Sequence, residues 1–299
     1  MAKPRELRRR IKSVENTRQI TRTMEMVATS RLKRAQDRVT AARPYAEALR
    51  QVISNLYSPD LVDRFDLLRQ PERRSRVALI LLTSNRGLCG AFNGNLIREA
   101  KGRLTELEGQ GIEVDLHGIG RKGIQYFRYV GRRLTSARDD IGDRPTAAHA
   151  VEVMEPLMRA FASRELDGVE VVFAKFNSAL STPPKLLSVL PIRSPEELSG
   201  GRTDGKAQSY KGVANYILRP SAEEIVGAVL PLYIRNALYR ALVETAASEQ
   251  GARRTAMKNA TDNAGEMLDR LRRSYNRARQ AQITQELAEI VGGAEALSG

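Results

Sequence analysis

Apolar residues recur with a heptad spacing along the first part of the chain, residues 4–57. One column holds Leu7, Val14, Thr21, Ala28, Ala35, Ala42, Leu49 and Leu56, and the other holds Ile11, Arg18, Glu25, Leu32, Val39, Ala46 and Ile53. Between Arg5 and Tyr57 there is one proline, Pro44, and no glycine. The spacing therefore predicts one helix of about 80 Å with a coiled-coil seam. Because the polar members fall together, the pattern also predicts that the seam drifts there onto Ile20, Met24 and Val27.

A second long helix is predicted at the other end of the chain. Pro220 and Ser221 followed by Glu224 are typical of a helix start, and apolar periodicity continues from Ile225 almost to the end. Small and apolar side chains follow in steps of four and three residues, at Ala260, Ala264, Met267, Leu271, Ser274, Ala278 and Ala281. A further stripe predicts an apolar tip, at Ile283, Leu287, Ile290, Ala294 and Leu297. Two such helices pair most simply with each other in an antiparallel coiled coil; packing of each in an ordinary bundle is the alternative.

The middle of the chain alternates between strand and helix patterns. Predicted strands lie at 76–84, 111–119, 168–178 and 185–192, and predicted helices at 93–107 and 144–163. This alternation predicts a Rossmann-like α/β domain with a mainly parallel sheet between the two long helices. The expected segments are an N-terminal coiled-coil helix at 1–57, a central α/β domain at 76–193, a loop and linker at 194–219, and a C-terminal coiled-coil helix at 220–299.

Charge and cysteine content narrow the possible binding partners and the cellular compartment of the protein. The formal net charge is +14, and residues 1–50 hold 14 Lys or Arg against 5 Asp or Glu. Nucleic acid, an anionic membrane surface or an acidic protein partner could each match this balance. The single cysteine, Cys89, excludes an intramolecular disulfide and fits a reducing cytosolic setting. The N-terminus does not have the apolar core of a signal peptide, and no stretch approaches the roughly 20 apolar residues of a membrane span.

The spacing Gly118-x-Gly120-x-x-Gly123 is that of a dinucleotide-binding fingerprint. Such a site needs a fully buried first strand and an acidic residue about 20 positions on, at the end of a second strand. Here the preceding strand alternates apolar and polar residues, and the acids at the right distance follow "RRLTSAR", a poor strand. Those acids are Asp139, Asp140 and Asp143. The pattern therefore favours a tight turn over a dinucleotide site.

The second glycine cluster, "TSNRGLCGAFNGN" at 83–95, contains Gly87 and Gly90. It does not end in the Gly-Lys-Ser/Thr of a phosphate-binding loop, so the pattern again predicts a turn. Cys89 would need a paired base to act as a nucleophile, and neither His117 nor His149 is tied to it by spacing. We therefore expect no catalytic residue, no metal site and no cofactor in this chain.

Three stretches carry a specific family resemblance. They are "IKSVENTRQITRTMEMVATSRLKRAQ" at 11–36, "TSNRGLCGAFN" at 83–93 with "IGRKG" at 119–123, and "ASEQGARRTAMKNATDNAGEMLDRL" at 247–271 running into "YNRARQAQITQELAEIVGGAEAL" at 275–297. Through them the chain resembles the gamma subunits of F-type ATP synthases along nearly its whole length. That family carries text like "IGRKG" in a rotor domain with no known dinucleotide role. Asn85 and Gly251 depart from the family, which more often has Asp and Ala there.

The resemblance implies a non-catalytic rotor shaft. The two terminal helices would form the shaft, and the α/β domain would be a foot that sits on the membrane c-ring and binds the epsilon subunit. The apolar tip would turn inside a sleeve of three alpha and three beta subunits. The residues that the resemblance places against beta are Met24, Arg253, Arg279, Gln280, Thr284, Glu286 and Glu289. The implied location is the cytoplasmic face of the bacterial plasma membrane, as a peripheral subunit.

A basic coiled-coil nucleic-acid-binding protein is the alternative function. The positive charge of residues 1–50 motivates it. Against it, residues 1–40 contain no aromatic side chain for base stacking, and no known reader motif is present.

Overall fold

The computed structural model describes residues 4–56, 64–192 and 222–298. The elements in chain order are helix α1 (Pro4–Leu56), a 3₁₀ turn (Asp66–Leu68), strand β1 (Arg76–Leu82), helix α2 (Phe92–Gly109), strand β2 (Glu113–Ile119), helix α3 (Arg121–Tyr129), strand β3 (Ser136–Arg138), helix α4 (Ala147–Ala162), strand β4 (Gly168–Ala174), strand β5 (Pro184–Leu190) and helix α5 (Ala222–Ser298). The chain forms two compact units, Met1–Ser30 with Arg253–Gly299 and Arg31–Ala252. The predicted loop and linker at 194–219 lies outside the described residues.

The first unit is an antiparallel pair of helices. Thr261 donates a hydrogen bond to Thr21 across the pair, with 2.8 Å between the two hydroxyl oxygens. Six residues earlier on α1, Glu15 lies 3.5 Å from Arg272, which is later on α5 than Thr261. Residue numbers therefore fall on α5 as they rise on α1. The predicted antiparallel pairing is therefore correct for this unit.

Of the three residues onto which the sequence predicts that the seam drifts, only Met24 is half-buried. Ile20 is 60% exposed and Val27 is 48% exposed, whereas Thr21 remains half-buried on the original column. Thr21 keeps this position because its hydroxyl accepts from Thr261 and donates to the carbonyl of Arg18 at 3.0 Å. A polar residue whose hydrogen bonds are satisfied can occupy a seam without displacing it.

On α5 one of the two predicted columns is displaced by a residue. Ala264 is buried as predicted, but Leu268 is buried where the prediction placed Met267, which is 52% exposed. Ser274 and Ala281 are exposed as well. Steps of three and four residues both fit a heptad pattern, and Met267 and Leu268 are adjacent apolar residues, so spacing alone could not separate them.

The second unit is built on a five-stranded sheet of order β3-β2-β1-β4-β5. β1 pairs in parallel with β2 and with β4, and β2 pairs in parallel with β3. β5 is antiparallel to β4 and forms one edge of the described sheet. The predicted Rossmann-like architecture is confirmed. The sequence favoured no strand in "RRLTSAR", and this interpretation is wrong, because Ser136–Arg138 pairs with His117–Ile119 as strand β3.

The two faces of β1 divide the core of this unit. Ala78, Ile80 and Leu82 face a cluster that includes α4 and residues 226–242 of α5. Leu79 and Leu81 face the opposite way, toward α2 and α3. A continuous apolar strand with both faces covered is typical of the centre of a parallel sheet.

Within the second unit, α1 also packs against α5. Leu32, Ala35 and Val39 form a buried cluster with Val243 and Ala247. The turn before β5 approaches α5 closely at Gly251, where an added Cβ would lie 3.3 Å from the carbonyl oxygen of Ala179. A glycine at this position therefore allows close packing.

Candidate functional site

The fingerprint glycines lie where β2 passes into α3, and they pack against protein. Gly120 has a φ of +99°, and a Cβ added to it would lie 2.0 Å from the carbonyl oxygen of Thr83. An added Cβ at Gly123 would meet the Thr83 hydroxyl at 2.9 Å, and one at Gly118 would meet Ile124 at 2.9 Å. Because these glycines have no side chain, the residues at the end of β1 and in the first turn of α3 can pack closely against them.

The N-terminal amides of α3 are already bonded to protein acceptors. The amide of Arg121 donates to Oδ1 of Asn85 at 2.9 Å, and that of Lys122 donates to the carbonyl of Ser84 at 3.1 Å. The amide of Gly123 donates to the Thr83 hydroxyl at 2.9 Å. In a dinucleotide site such amides bind the pyrophosphate. Their occupation agrees with the prediction of a tight turn.

The acids after β3 are each engaged by an arginine. Asp139 lies 3.3 Å from Arg121. Asp140 lies 2.5 Å from Arg138, and its pKa is lowered chiefly by the hydrogen bond from that guanidinium. Asp143 lies 3.0 Å from Arg31. The second strand that a dinucleotide fingerprint requires is present. The acids that follow it are paired with arginines of this chain, so they have a structural role.

The second glycine cluster forms a turn that is closed by side chains. Ser84 donates to the carbonyl of Arg86 at 2.6 Å, and Asn93 donates to the Ser84 hydroxyl at 2.8 Å and to the Cys89 sulfur at 3.2 Å. Gly90 adopts a φ of +59°, which glycine tolerates without strain. Leu88 adopts a φ of +63° although it has a side chain, and that side chain is exposed. The predicted turn residue Gly87 lies beside it, with Lys122 3.7 Å from the position of an added Cβ.

The remaining candidate chemistry has structural roles. Cys89 is only 2% exposed. His149 forms the capping box of α4 with Thr146. His117 is 2.8 Å from the Ser136 hydroxyl, and burial lowers its pKa. Among the residues that the structure describes, no group of His, Cys, Asp and Glu side chains is arranged to hold a metal ion.

The predicted partner-facing residues belong to the first unit. Met24 is half-buried on α1, and Arg253 is only 8% exposed on α5. The others lie exposed in the C-terminal part of α5, at Arg279, Gln280, Thr284, Glu286 and Glu289. Their bonds are local, since Glu286 and Glu289 accept from the glutamines four residues before them at 2.8 Å and 2.9 Å. The structure gathers these five on one helical segment, and Met24 and Arg253 lie elsewhere on the pair.

The first unit also carries exposed apolar residues on both helices. Met26 is exposed together with Ile20 and Val27 on α1. The described part of the predicted tip is exposed at Ile283, Leu287, Ile290 and Val291. Exposed apolar side chains that form a contiguous patch are typical of a surface that contacts a protein partner. None of the helices in the described ranges carries an apolar stretch long enough to cross a membrane.

Comparison with known proteins places the chain in a family. A family model described as ATP synthase matches residues 3–297. The "ATP synthase gamma chain" of Gemmatimonas aurantiaca is 59% identical over 299 residues, with all of both chains covered. The chain belongs to the ATP synthase gamma chain family. The family member of Leptospira biflexa is 42% identical over 298 residues, again with both chains fully covered.

Solved structures show the same fold as this gamma-chain family member. The central stalk and c-ring structure of the Tetrahymena thermophila mitochondrial ATP synthase contains a chain with a TM-score of 0.58 and 23% identity, covering 81% of this chain and 99% of that one. A rotor chain of the Euglena gracilis mitochondrial ATP synthase gives a TM-score of 0.62 at 21% identity, covering 94% and 98%.

Proposed function

We propose that this chain is the central rotor shaft of a proton-translocating F-type ATP synthase. It couples ion flow through the membrane sector to ATP synthesis or hydrolysis in the alpha and beta subunits and helps regulate the ATPase activity. The chain is a non-catalytic subunit of that complex. The full-length identity of 59% to a relative named ATP synthase gamma chain carries this proposal. It does not support the alternative of a nucleic-acid-binding protein.

The proposed partners are three alpha and three beta subunits, the epsilon subunit and the c-ring. The Tetrahymena structure that resembles this chain is titled as a central stalk with a c-ring. In the assembly, 1–57 and 220–299 act as the shaft, 76–193 acts as the foot on the c-ring, and 194–219 links them. The complex is membrane-bound and this chain is a peripheral part of it. We place it at the cytoplasmic face of the bacterial inner membrane.

Two surfaces of the first unit suit a shaft in a sleeve. The exposed apolar residues from Ile283 to Val291 can turn as a bearing, because apolar contacts are non-directional and form no deep angular minima. On α1 the exposed cations before Ser30 are Arg5, Arg8, Arg9, Arg10, Lys12, Arg18 and Arg22. A basic face of this kind would meet acidic loops of the beta subunits and transmit torque by charge and shape.

The proposed contacts with beta are Met24, Arg253, Arg279, Gln280, Thr284, Glu286 and Glu289. The exposed residues of this set lie on the segment that also carries the apolar tip. One stretch of helix would therefore offer both an apolar bearing surface and polar side chains that bind beta. Arg253 offers the least surface to a partner.

The test is ATP-driven proton pumping by the reconstituted complex with Met24→Lys. A new cation on the shaft beside acidic loops adds an angle-dependent attraction of about 1–4 kcal/mol. We expect assembly to be retained and protons pumped per ATP to fall. Tyr129→Lys, at a 90% exposed position in the other unit, adds the same charge as a control and should leave pumping unchanged. Unchanged coupling in Met24→Lys would remove this contact, and failure of the chain to join alpha and beta at all would refute the function.

A further inference from the structure

The second unit contains a cavity of about 380 Å³ that the proposed function does not use. It lies between α1, α5 and the sheet at β4 and β5. Leu49, Phe173 and Leu187 supply apolar lining. Its volume lies within the range of about 300–1,000 Å³ that is usual for small-molecule sites.

The sheet directs cations into this cavity. Phe173 on β4 is paired with Lys185 on β5, so the two side chains stand on the same face of the sheet. Lys175 follows Phe173 by two residues and lines the cavity beside Lys185. Phe173 and the two lysines therefore line the cavity from the same end of the β4–β5 pair.

The lining carries an excess of positive charge. Arg50, Lys175, Lys185 and Arg240 face a single lining carboxylate, Glu244. Glu244 lies 3.5 Å from Arg240 and accepts from the amide of Phe176, while Arg50 pairs with Glu47. Within the described residues neither lysine makes an ion pair. The two lysines are therefore the uncompensated cations of the lining, and an anion with several charges would balance them.

Tyr233 adds a neutral aromatic side chain to the lining. Burial raises the pKa of Tyr233, whose phenol stays near Arg240 and Arg50 and is neutral at physiological pH.

We propose that this cavity binds a nucleoside polyphosphate. The phosphate oxygens lie on Lys175, Lys185 and the two arginines, which suit phosphate as point charges and as planar forks. The nucleoside packs on the apolar lining and on Tyr233. This binding is independent of the rotor function.

The test is calorimetric titration of the full-length purified chain with ADP, pyrophosphate and adenosine. We expect saturable ADP binding, with pyrophosphate and adenosine each weaker by about tenfold or more because each provides half of the contacts. Lys175→Ala with Lys185→Ala should weaken ADP by about tenfold or more. Both lysines are exposed, so thermal unfolding should show an intact fold.

Arg98→Ala with Lys101→Ala is the matched control, since it removes the same charge from the exposed face of α2. It should leave ADP affinity within about twofold. Absence of saturable ADP binding, or an equal loss in the control pair, would overturn the proposal. Pyrophosphate binding as tightly as ADP would overturn the nucleoside part of it.

Discussion

The side-chain oxygen of Asn85 accepts a hydrogen bond from the backbone amide of Arg121, at 2.9 Å. The amide nitrogen of the same side chain donates to the carbonyl of Asp139 at 2.7 Å. One amide therefore caps the N-terminus of α3 and holds the loop after β3. It does so at the place where a dinucleotide-binding fold would bind a phosphate.

Substitutions of Asn85 should separate these two bonds. Asn85→Ala loses both and should lower the free energy of unfolding by about 1–2 kcal/mol. Asn85→Asp keeps an acceptor near the positive end of α3 and loses only the donor, so it should cost less. Urea unfolding of the full chain measures both values. An equal cost for the two variants would show that the bond to Asp139 matters more than the cap.

Gly120→Ala should be among the most destabilising single changes in the second unit. The added Cβ would meet the Thr83 carbonyl, and the backbone there has a positive φ. We expect a loss of about 3 kcal/mol or more in the free energy of unfolding. Gly102→Ala, in α2 with nothing within 4 Å of the added Cβ, should be neutral or stabilising by up to about 1 kcal/mol. A small effect at Gly120 would contradict the close approach to Thr83 described above.

Cysteines at Thr21 and Thr261 should form a disulfide under mild oxidation, in a Cys89→Ser background. The two hydroxyl oxygens are 2.8 Å apart, so the side chains already meet across the helix pair. Ile20→Cys with Asp262→Cys is the control, because these adjacent positions both point to solvent. Electrophoresis without reductant detects the crosslinked chain. A crosslink in the control pair alone would contradict the seam described for α1.

Asp167 should make the chain less stable in acid. Burial raises its pKa, but hydrogen bonds from the amides of Ser75 and Arg76 and from Arg69 outweigh burial and hold the pKa below its ordinary value of 3.8. The carboxylate therefore stabilises the fold above about pH 4, and this contribution is lost as the pH falls through the folded-state pKa.

The check is the difference in unfolding free energy between the parent chain and Asp167→Asn, followed from pH 6 down to about pH 2. The difference should shrink as the pH falls. The same series with Asp37→Asn measures the effect of removing one exposed carboxylate from α1. A difference for Asp167→Asn that is constant with pH would show that the charge of Asp167 contributes nothing.

Sequence could predict the elements whose burial is continuous or strictly periodic. β1 was predictable because its residues from Val77 to Leu82 are all buried, and α1 because its seam repeats over many heptads. β3 was not, since its three residues become a strand only by pairing with the backbone of β2. The choice of Leu268 over Met267 likewise depends on the partner helix, which spacing along one helix does not specify.

The surfaces to which we assign a function divide in the same way. The exposed tip from Ile283 could be predicted because its stripe lies within one helix. The cavity could not, since Arg50, Phe173, Lys185 and Arg240 are far apart in sequence and only the fold brings them together. The fingerprint glycines show the converse, because a motif with the spacing of a ligand site is used here for internal packing at Thr83.

Single-molecule rotation tests the central claim most directly. The chain, labelled with a bead at Tyr129→Cys in a Cys89→Ser background, is reconstituted with alpha and beta subunits that are fixed to a surface. If the chain is the rotor shaft, ATP should drive the bead in one direction, with three dwell positions per turn that reflect three beta subunits. A bead that stays fixed, or fluctuates without direction, in a complex that is assembled and hydrolyses ATP would contradict the account.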